Sequence, residues 1–189
     1  MQRRDVLMGG AAVGLMGLGA VEPAGAQSVP ATMMPVEVRT RPEIAPYELH
    51  VIPDSFMLYW TLPDARAIRY MVGIGRPGLY ESGEFYVGAK KEWPSWTPTP
   101  EMIARDPDQY ARWEDGMPGG PDNPLGARAL YLFEPGRGDT FLRIHGTNAP
   151  GTIGTAVSNG CARLVNDQAI DLYERVPLES RVVLHPQTA

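Results

Sequence analysis

Cysteine is all but absent from this chain of 189 residues, with Cys161 the only one. That excludes an internal disulfide framework and any Cys-x-x-Cys zinc pair. A basic block is also missing. Lys+Arg total 17 against Asp+Glu 22, for a net charge of -5, a poor balance for gripping nucleic-acid phosphates. Long apolar runs are lacking too: the most apolar stretch, near the N-terminus, is glycine-rich and about 16 residues, short of the roughly 20 that cross a bilayer. No internal repeat is visible. What is abundant is turn chemistry, Gly 21 and Pro 19, which points to short strands and ordered loops rather than a helical bundle. At 43% hydrophobic and 21% charged, the chain can form a packed core.

Residues 1–26 read as an export signal. Arg3 and Arg4 precede Asp5, Val6 and Leu7, a weakly apolar run follows, and Ala24-Gly25-Ala26 offers a small-residue cleavage site. The opening resembles the twin-arginine signal that exports folded proteins. It implies an oxidising bacterial envelope, the periplasm, with no stable membrane anchor after cleavage. There a lone cysteine has no partner in its own chain; it is either buried and inert or kept for chemistry. Residues 27–45 are proline-containing and aperiodic and read as a linker or extended arm. Residues 46–189 form one domain.

Within that domain, residues 47–52, 56–62, 67–74 and 84–89 have strand character, with turns at Pro53-Asp54 and Leu62-Pro63-Asp64. Thr99 followed by Pro100 predicts a short helix over 100–105, Thr as N-cap and Pro in the first turn. Segments 129–133 and 140–145 read as a hairpin about Pro135-Gly136, Asn166 as the N-cap of a helix over 167–176, and 181–184 as a closing strand. Residues 90–122 hold Trp93, Trp96 and Trp113 among prolines and glycines. A long irregular segment of this kind is often a lid or wall. The expected class is mainly β, with a few short helices.

The chemistry concentrates in one stretch, His145-Gly-Thr-Asn followed by a glycine-rich run and Ser158-Asn-Gly160-Cys161-Ala-Arg163. A thiolate is a strong nucleophile and an imidazole can generate it. Gly160 allows close backbone approach, and the N–H groups of Gly160 and Cys161 are candidates to face a developing oxyanion. On residue chemistry alone a second reading stands beside this one: Cys161 as a small core residue and His145 as a satisfied strand histidine.

This stretch resembles the L,D-transpeptidase catalytic domain, or YkuD domain, whose signature is His-Gly-Thr-Asn, a glycine-rich segment, then Ser-x-Gly-Cys-x-Arg. The resemblance extends through Asn166, Asp167, Asp171, Leu172, Tyr173 and Val182-Val183, and upstream through Glu92-Trp-Pro-Ser-Trp-Thr-Pro and Pro118-Gly-Gly-Pro-Asp-Asn-Pro-Leu-Gly126. It implies a YkuD-type β-sandwich. It implies Cys161 as nucleophile, His145 as general base and acid, and Gly146 as the backbone carbonyl that orients the imidazole. The implied substrate is a peptidoglycan tetrapeptide stem, attacked at its third residue, a diamino acid, with release of the terminal D-Ala. The acyl group then passes to a second stem as a 3-3 cross-link. Alternative acceptors are an outer-membrane protein, a D-amino acid or water, and a non-catalytic peptidoglycan-binding module is the remaining reading. No metal or cofactor is implied.

Two positions depart from the family pattern: Asn159, where histidine is frequent, and Ala162, where a larger aliphatic is usual. Asn159 can donate a hydrogen bond but cannot act as a base. Arg163 either orients the active-site loop or a stem carboxylate, or pairs structurally with Asp167. Ser158 contacts substrate or serves the local backbone. Trp93 and Trp96 either wall the cleft or are ordinary tryptophans. His50 and His185 read as isolated strand-edge or exposed histidines. His145 and Cys161 as zinc ligands would need two more, and none stands at ligand spacing.

Overall fold

The computed structural model describes residues 34–188; the export signal at 1–26 lies outside the described residues. In chain order the elements are β1 (Val36–Arg39), β2 (Leu49–Ile52), β3 (Met57–Leu62), β4 (Arg66–Met71), β5 (Ile74–Gly75), β6 (Gly83–Glu92), α1 (Pro100–Arg105), α2 (Pro107–Tyr110), β7 (Arg128–Glu134), β8 (Gly138–His145), β9 (Ala156–Ser158), β10 (Ala162–Arg163), α3 (Asn166–Arg175) and β11 (Arg181–Leu184). The class is mainly β, as the sequence predicts. β1 is the departure. Part of the segment read as a linker pairs antiparallel with β4, Val36 opposite Arg69 through Arg39 opposite Arg66, and so extends the sheet.

Period-two alternation buries one face of most strands. Leu49 and Val51 of β2, Leu58 and Trp60 of β3, Phe85 and Val87 of β6, Leu130 and Leu132 of β7, Leu142 and Ile144 of β8, and Val182 and Leu184 of β11 all enter one core. The strand order is β1-β4-β3-β2-β11-β6-β7-β8-β10, with a separate β5-β9 pair. β11 returns to the middle, parallel to β2 and antiparallel to β6. α3 packs against this core through Ala169 and Leu172, and Tyr70 on β4 donates a 2.6 Å hydrogen bond to Asp171 on α3.

The sheet folds back on itself. Gly73, just beyond β4 near one end of the order, exchanges two backbone hydrogen bonds with Arg163 on β10 at the other end, 2.9 and 2.8 Å. β5 then runs parallel to β9. The segment leading into Cys161 is therefore held by β5, and the one leaving it by β8 on one side and Gly73 on the other. Gly75 permits this closure, since a Cβ there would meet the Gly160 Cα at 2.9 Å.

Candidate active site

β8 and β10 set the site. They run parallel, with Ala162 opposite Ile144 and Arg163 opposite His145. Ala162 and Ile144 belong to the core, so alternation sends Cys161, Arg163, Arg143 and His145 to the other face. There all four line one cavity of about 770 Å³. The sequence separation of His145 and Cys161 thus closes across a single strand pair.

Gly146 orients the imidazole. His145 Nδ1 lies 2.6 Å from the Gly146 carbonyl oxygen. A carbonyl only accepts, so Nδ1 carries the proton and Nε2 holds the free lone pair. The ring is 5% exposed. Burial pushes its pKa down to about 4, reinforced by the charges of Arg163 and Arg143 and opposed by the backbone of Gly146 and, more weakly, of Leu125. At neutral pH the ring is therefore neutral and able to accept a proton.

Asn166 holds that carbonyl in place. The sequence reading made it an N-cap, but it is the first residue of α3, and Val165 before it caps without a side-chain bond. Its Oδ1 instead accepts from the Ala127 N–H at 2.9 Å and the Thr147 N–H at 3.2 Å. Gly126 and Gly146 both pack on this oxygen so tightly that a Cβ on either would overlap it. The Gly146 N–H donates to Arg128 on β7, 2.9 Å. Asn166 is thus a positioning residue the sequence reading missed; its partners lie 39 and 19 residues away.

The thiol is partly buried. Burial pushes its pKa up, while a hydrogen bond from the Arg143 backbone and the charges of Arg143 and Arg163 act the other way. The shifts of Cys161 and His145 favour a neutral thiol and a neutral imidazole in the one cavity that both line. Sγ also lies 3.9 Å from the Phe141 carbonyl oxygen.

Phe141 was not expected at the site. β8 bulges opposite Leu132, between the pairs Tyr131–Arg143 and Phe133–Asp139. Thr140 Oγ1 donates to the Leu132 carbonyl at 2.7 Å, and the Phe141 N–H donates to Asp139 Oδ1 at 2.9 Å. Phe141 is left at φ 63 and 68% exposed on the cavity rim, a conformation an L-residue keeps only when its surroundings enforce it. Arg143 is fixed by a bidentate pair with Asp139, 2.7 and 2.9 Å, and stacks 3.9 Å over the Tyr131 ring.

The other expected residues take definite places. Ser158 Oγ donates to the Cys161 carbonyl at 2.7 Å and accepts the Gly160 N–H at 3.3 Å. Ser158 therefore serves the backbone of this loop, and the Gly160 amide is turned to Ser158 rather than left open for an oxyanion. Arg163 makes no ion pair with Asp167; burial works against its charge, and negative charge developing on Cys161 would favour it. Asn159 lines the cavity, its amide bonded to Arg76, Arg105 and Tyr110. Trp93 does not wall the cleft. Its backbone sits at φ 40 and its ring is 44% exposed outside the cavity. Trp96 and Trp113 line the cavity instead. His50 and His185 are not isolated; their ring nitrogens meet at 3.1 Å, and neither lines the cavity.

A family model for the YkuD L,D-transpeptidase catalytic domain matches residues 46–184. The chain belongs to the L,D-transpeptidase family. An Escherichia coli relative named "Probable L,D-transpeptidase ErfK/SrfK" is 38% identical over 137 residues, 69% of this chain and 41% of the relative. This chain thus spans about two fifths of that relative's length. A crystal structure from Brucella melitensis, titled a probable carnitine operon oxidoreductase caia, is 40% identical with TM-score 0.55, covering 89% of this chain and 95% of that one. The Enterococcus faecium L,D-transpeptidase structure, a mutant form, covers 76% of this chain and 51% of its own at TM-score 0.56 and 15% identity, and shares the fold. The YkuD fold is therefore common to this chain and to named L,D-transpeptidases.

Proposed function

We propose that this chain is an exported L,D-transpeptidase working in the periplasm on peptidoglycan tetrapeptide stems through a thioacyl-enzyme on Cys161. The observation that carries the proposal is the 2.6 Å contact between His145 Nδ1 and the Gly146 carbonyl. It leaves Nε2 as the basic atom in the cavity that Cys161 lines.

In the reaction so read, Nε2 takes the thiol proton as sulfur attacks the carbonyl of the third stem residue. The tetrahedral adduct collapses, His145 returns the proton to the departing D-Ala nitrogen, and the C–N bond breaks. The acceptor amine then attacks the thioester, His145 takes its proton, and the thiol is regenerated. Because the resting pair is neutral, proton transfer accompanies attack instead of preceding it. Arg143 and Arg163 lower the cost of the thiolate character that develops on sulfur. Release of the Gly160 amide from Ser158 Oγ would supply an oxyanion donor. The acceptor we assign is a second stem, giving a 3-3 cross-link; an outer-membrane protein's amino group or water would use the same acyl-enzyme.

Intact-mass spectrometry with a tetrapeptide stem tests this. Wild type should gain an acyl adduct with release of D-Ala, Cys161→Ala should gain none, and His145→Ala should acylate at least a hundredfold more slowly. D-Ala release by Cys161→Ala would overturn the mechanism. A stem dimer identifies the acceptor as a second stem, and a tripeptide alone identifies water.

A further inference from the structure

Asn159 receives two cations. Its Oδ1 accepts from Arg76 Nη2 at 2.8 Å and from Arg105 Nη2 at 3.0 Å, and its Nδ2 donates to the Tyr110 hydroxyl at 2.8 Å. The amide oxygen can satisfy both hydrogen bonds but neutralises neither charge. Two guanidinium groups meeting on one neutral atom repel each other unless an anion joins them.

No carboxylate among the described residues forms an ion pair with either guanidinium; Glu101, one turn before Arg105 on α1, feels the Arg105 charge without pairing with it. Among the described residues, Arg66, Arg128, Arg137, Arg143, Arg175 and Arg181 each have a carboxylate within 4.0 Å. Arg39, Arg41, Arg69, Arg76, Arg105, Arg112 and Arg163 do not, and of these Arg76 and Arg105 meet on one side-chain oxygen. In addition, the Arg76 Nε is buried with no hydrogen-bond partner. In a chain of net charge -5, where acids are plentiful, two cations gathered without one suggest a site meant for a ligand's carboxylate.

The place fits that ligand. Asn159 lies two residues before Cys161 and lines its cavity. Arg76 follows β5, and its N–H donates to the Ser158 carbonyl at 3.0 Å, so it is anchored to the catalytic loop. Arg105 and Tyr110 come from α1 and α2, whose Met102, Gln109 and Tyr110 line the cavity with Asn159, while the two arginines sit at its margin, outside the lining. We propose that Arg76 and Arg105, gathered on Asn159, form a subsite for a carboxylate of the peptide substrate at the edge of the cavity. The identity of that peptide as a peptidoglycan stem rests on the function proposed above; the charge class of the ligand does not. A bound carboxylate would accept from both guanidinium groups and join the catalytic loop to the α1–α2 wall.

The test is calorimetric titration of the full chain carrying Cys161→Ala with a tetrapeptide stem in two forms, carboxylates free and carboxylates amidated. Glutarate, a dicarboxylate with no scissile bond, is titrated in parallel. The acid stem should bind about tenfold more tightly than the amide. Arg76→Gln and Arg105→Gln should each erase most of that preference and weaken glutarate binding, with little effect on the amidated stem. Asn159→Asp supplies a tethered carboxylate. It should raise the unfolding temperature and also abolish the preference, whereas a purely structural Asn159 would raise the temperature and leave the preference intact. No acid preference in the starting protein, or one that survives both arginine substitutions, overturns the subsite. Glutarate binding that depends on Arg76, from a chain that binds neither stem, would leave the subsite standing and sink the stem reading.

Discussion

Acidification from pH 7 to 4 probes the burial of His145 directly. The ring ionises near 6.5 in an unfolded chain and is pushed to about 4 in the folded one. Between these values the unfolded chain binds a proton that the folded chain refuses, so protons draw the equilibrium toward unfolding. The contribution is full above pH 6.5, falls through the window, and is gone below 4. Its size is about 3 kcal/mol, a large part of the 5–15 kcal/mol typical of a domain. The assay is urea unfolding followed by tryptophan fluorescence at pH 7, 6, 5 and 4, for wild type and His145→Gln. His50 is also held below its ordinary value, chiefly by burial, and adds a slope of the same sign. That slope is present in both proteins and cancels in the comparison. Wild type should lose about 3 kcal/mol more than the variant across this range. Equal losses would refute the idea that His145 is buried neutral, and with it the neutral resting pair.

Three further outcomes are expected. The acylation rate should hold down to about pH 5 and fall only near 4, where His145 takes its proton; an acid limb near 6.5 in the free enzyme's profile would contradict this. Asn166→Ala leaves the buried Ala127 and Thr147 N–H groups without their acceptor, so urea unfolding should show a loss of about 2–4 kcal/mol, and acylation should slow as the Gly146 carbonyl loosens. Gly146→Ala should abolish acylation with Cys161 and His145 both intact, because the added Cβ overlaps Asn166 Oδ1; an active, normally stable Gly146→Ala would show that this carbonyl does not position the ring.

The sheet and the reacting pair were legible because their signals are local. Alternating apolar residues marked most strands, and Thr99 capping Met102 marked α1 at the expected bounds. β1 left no such mark, since its residues stay mostly exposed in the sheet and prolines flank it. Asn166 was read by its neighbours in sequence, whereas its oxygen is used by two distant backbone amides. Among the tryptophans, composition flagged the wall but not which rings face inward. Trp93 has a left-handed backbone that lies close against Gly119, where a Cβ would overlap the Trp93 carbonyl, a non-local contact that composition cannot show. Phe141 entered the site through a bulge that alternation cannot announce, because the bulge is an interruption of alternation.

The pairing of Gly73 with Arg163 has a consequence for how an extended peptide meets this enzyme. Many proteins bind peptides by offering a free strand edge, and recognition then rests on main-chain hydrogen bonds that any sequence can make. Here the strand beside the nucleophile is occupied on both flanks, by β8 and by Gly73. A substrate cannot join the sheet at Arg163. It must be held largely by side chains, so selectivity depends on the arginines, aromatic rings and loop amides around Cys161, and single substitutions among them can redirect it without disturbing the fold.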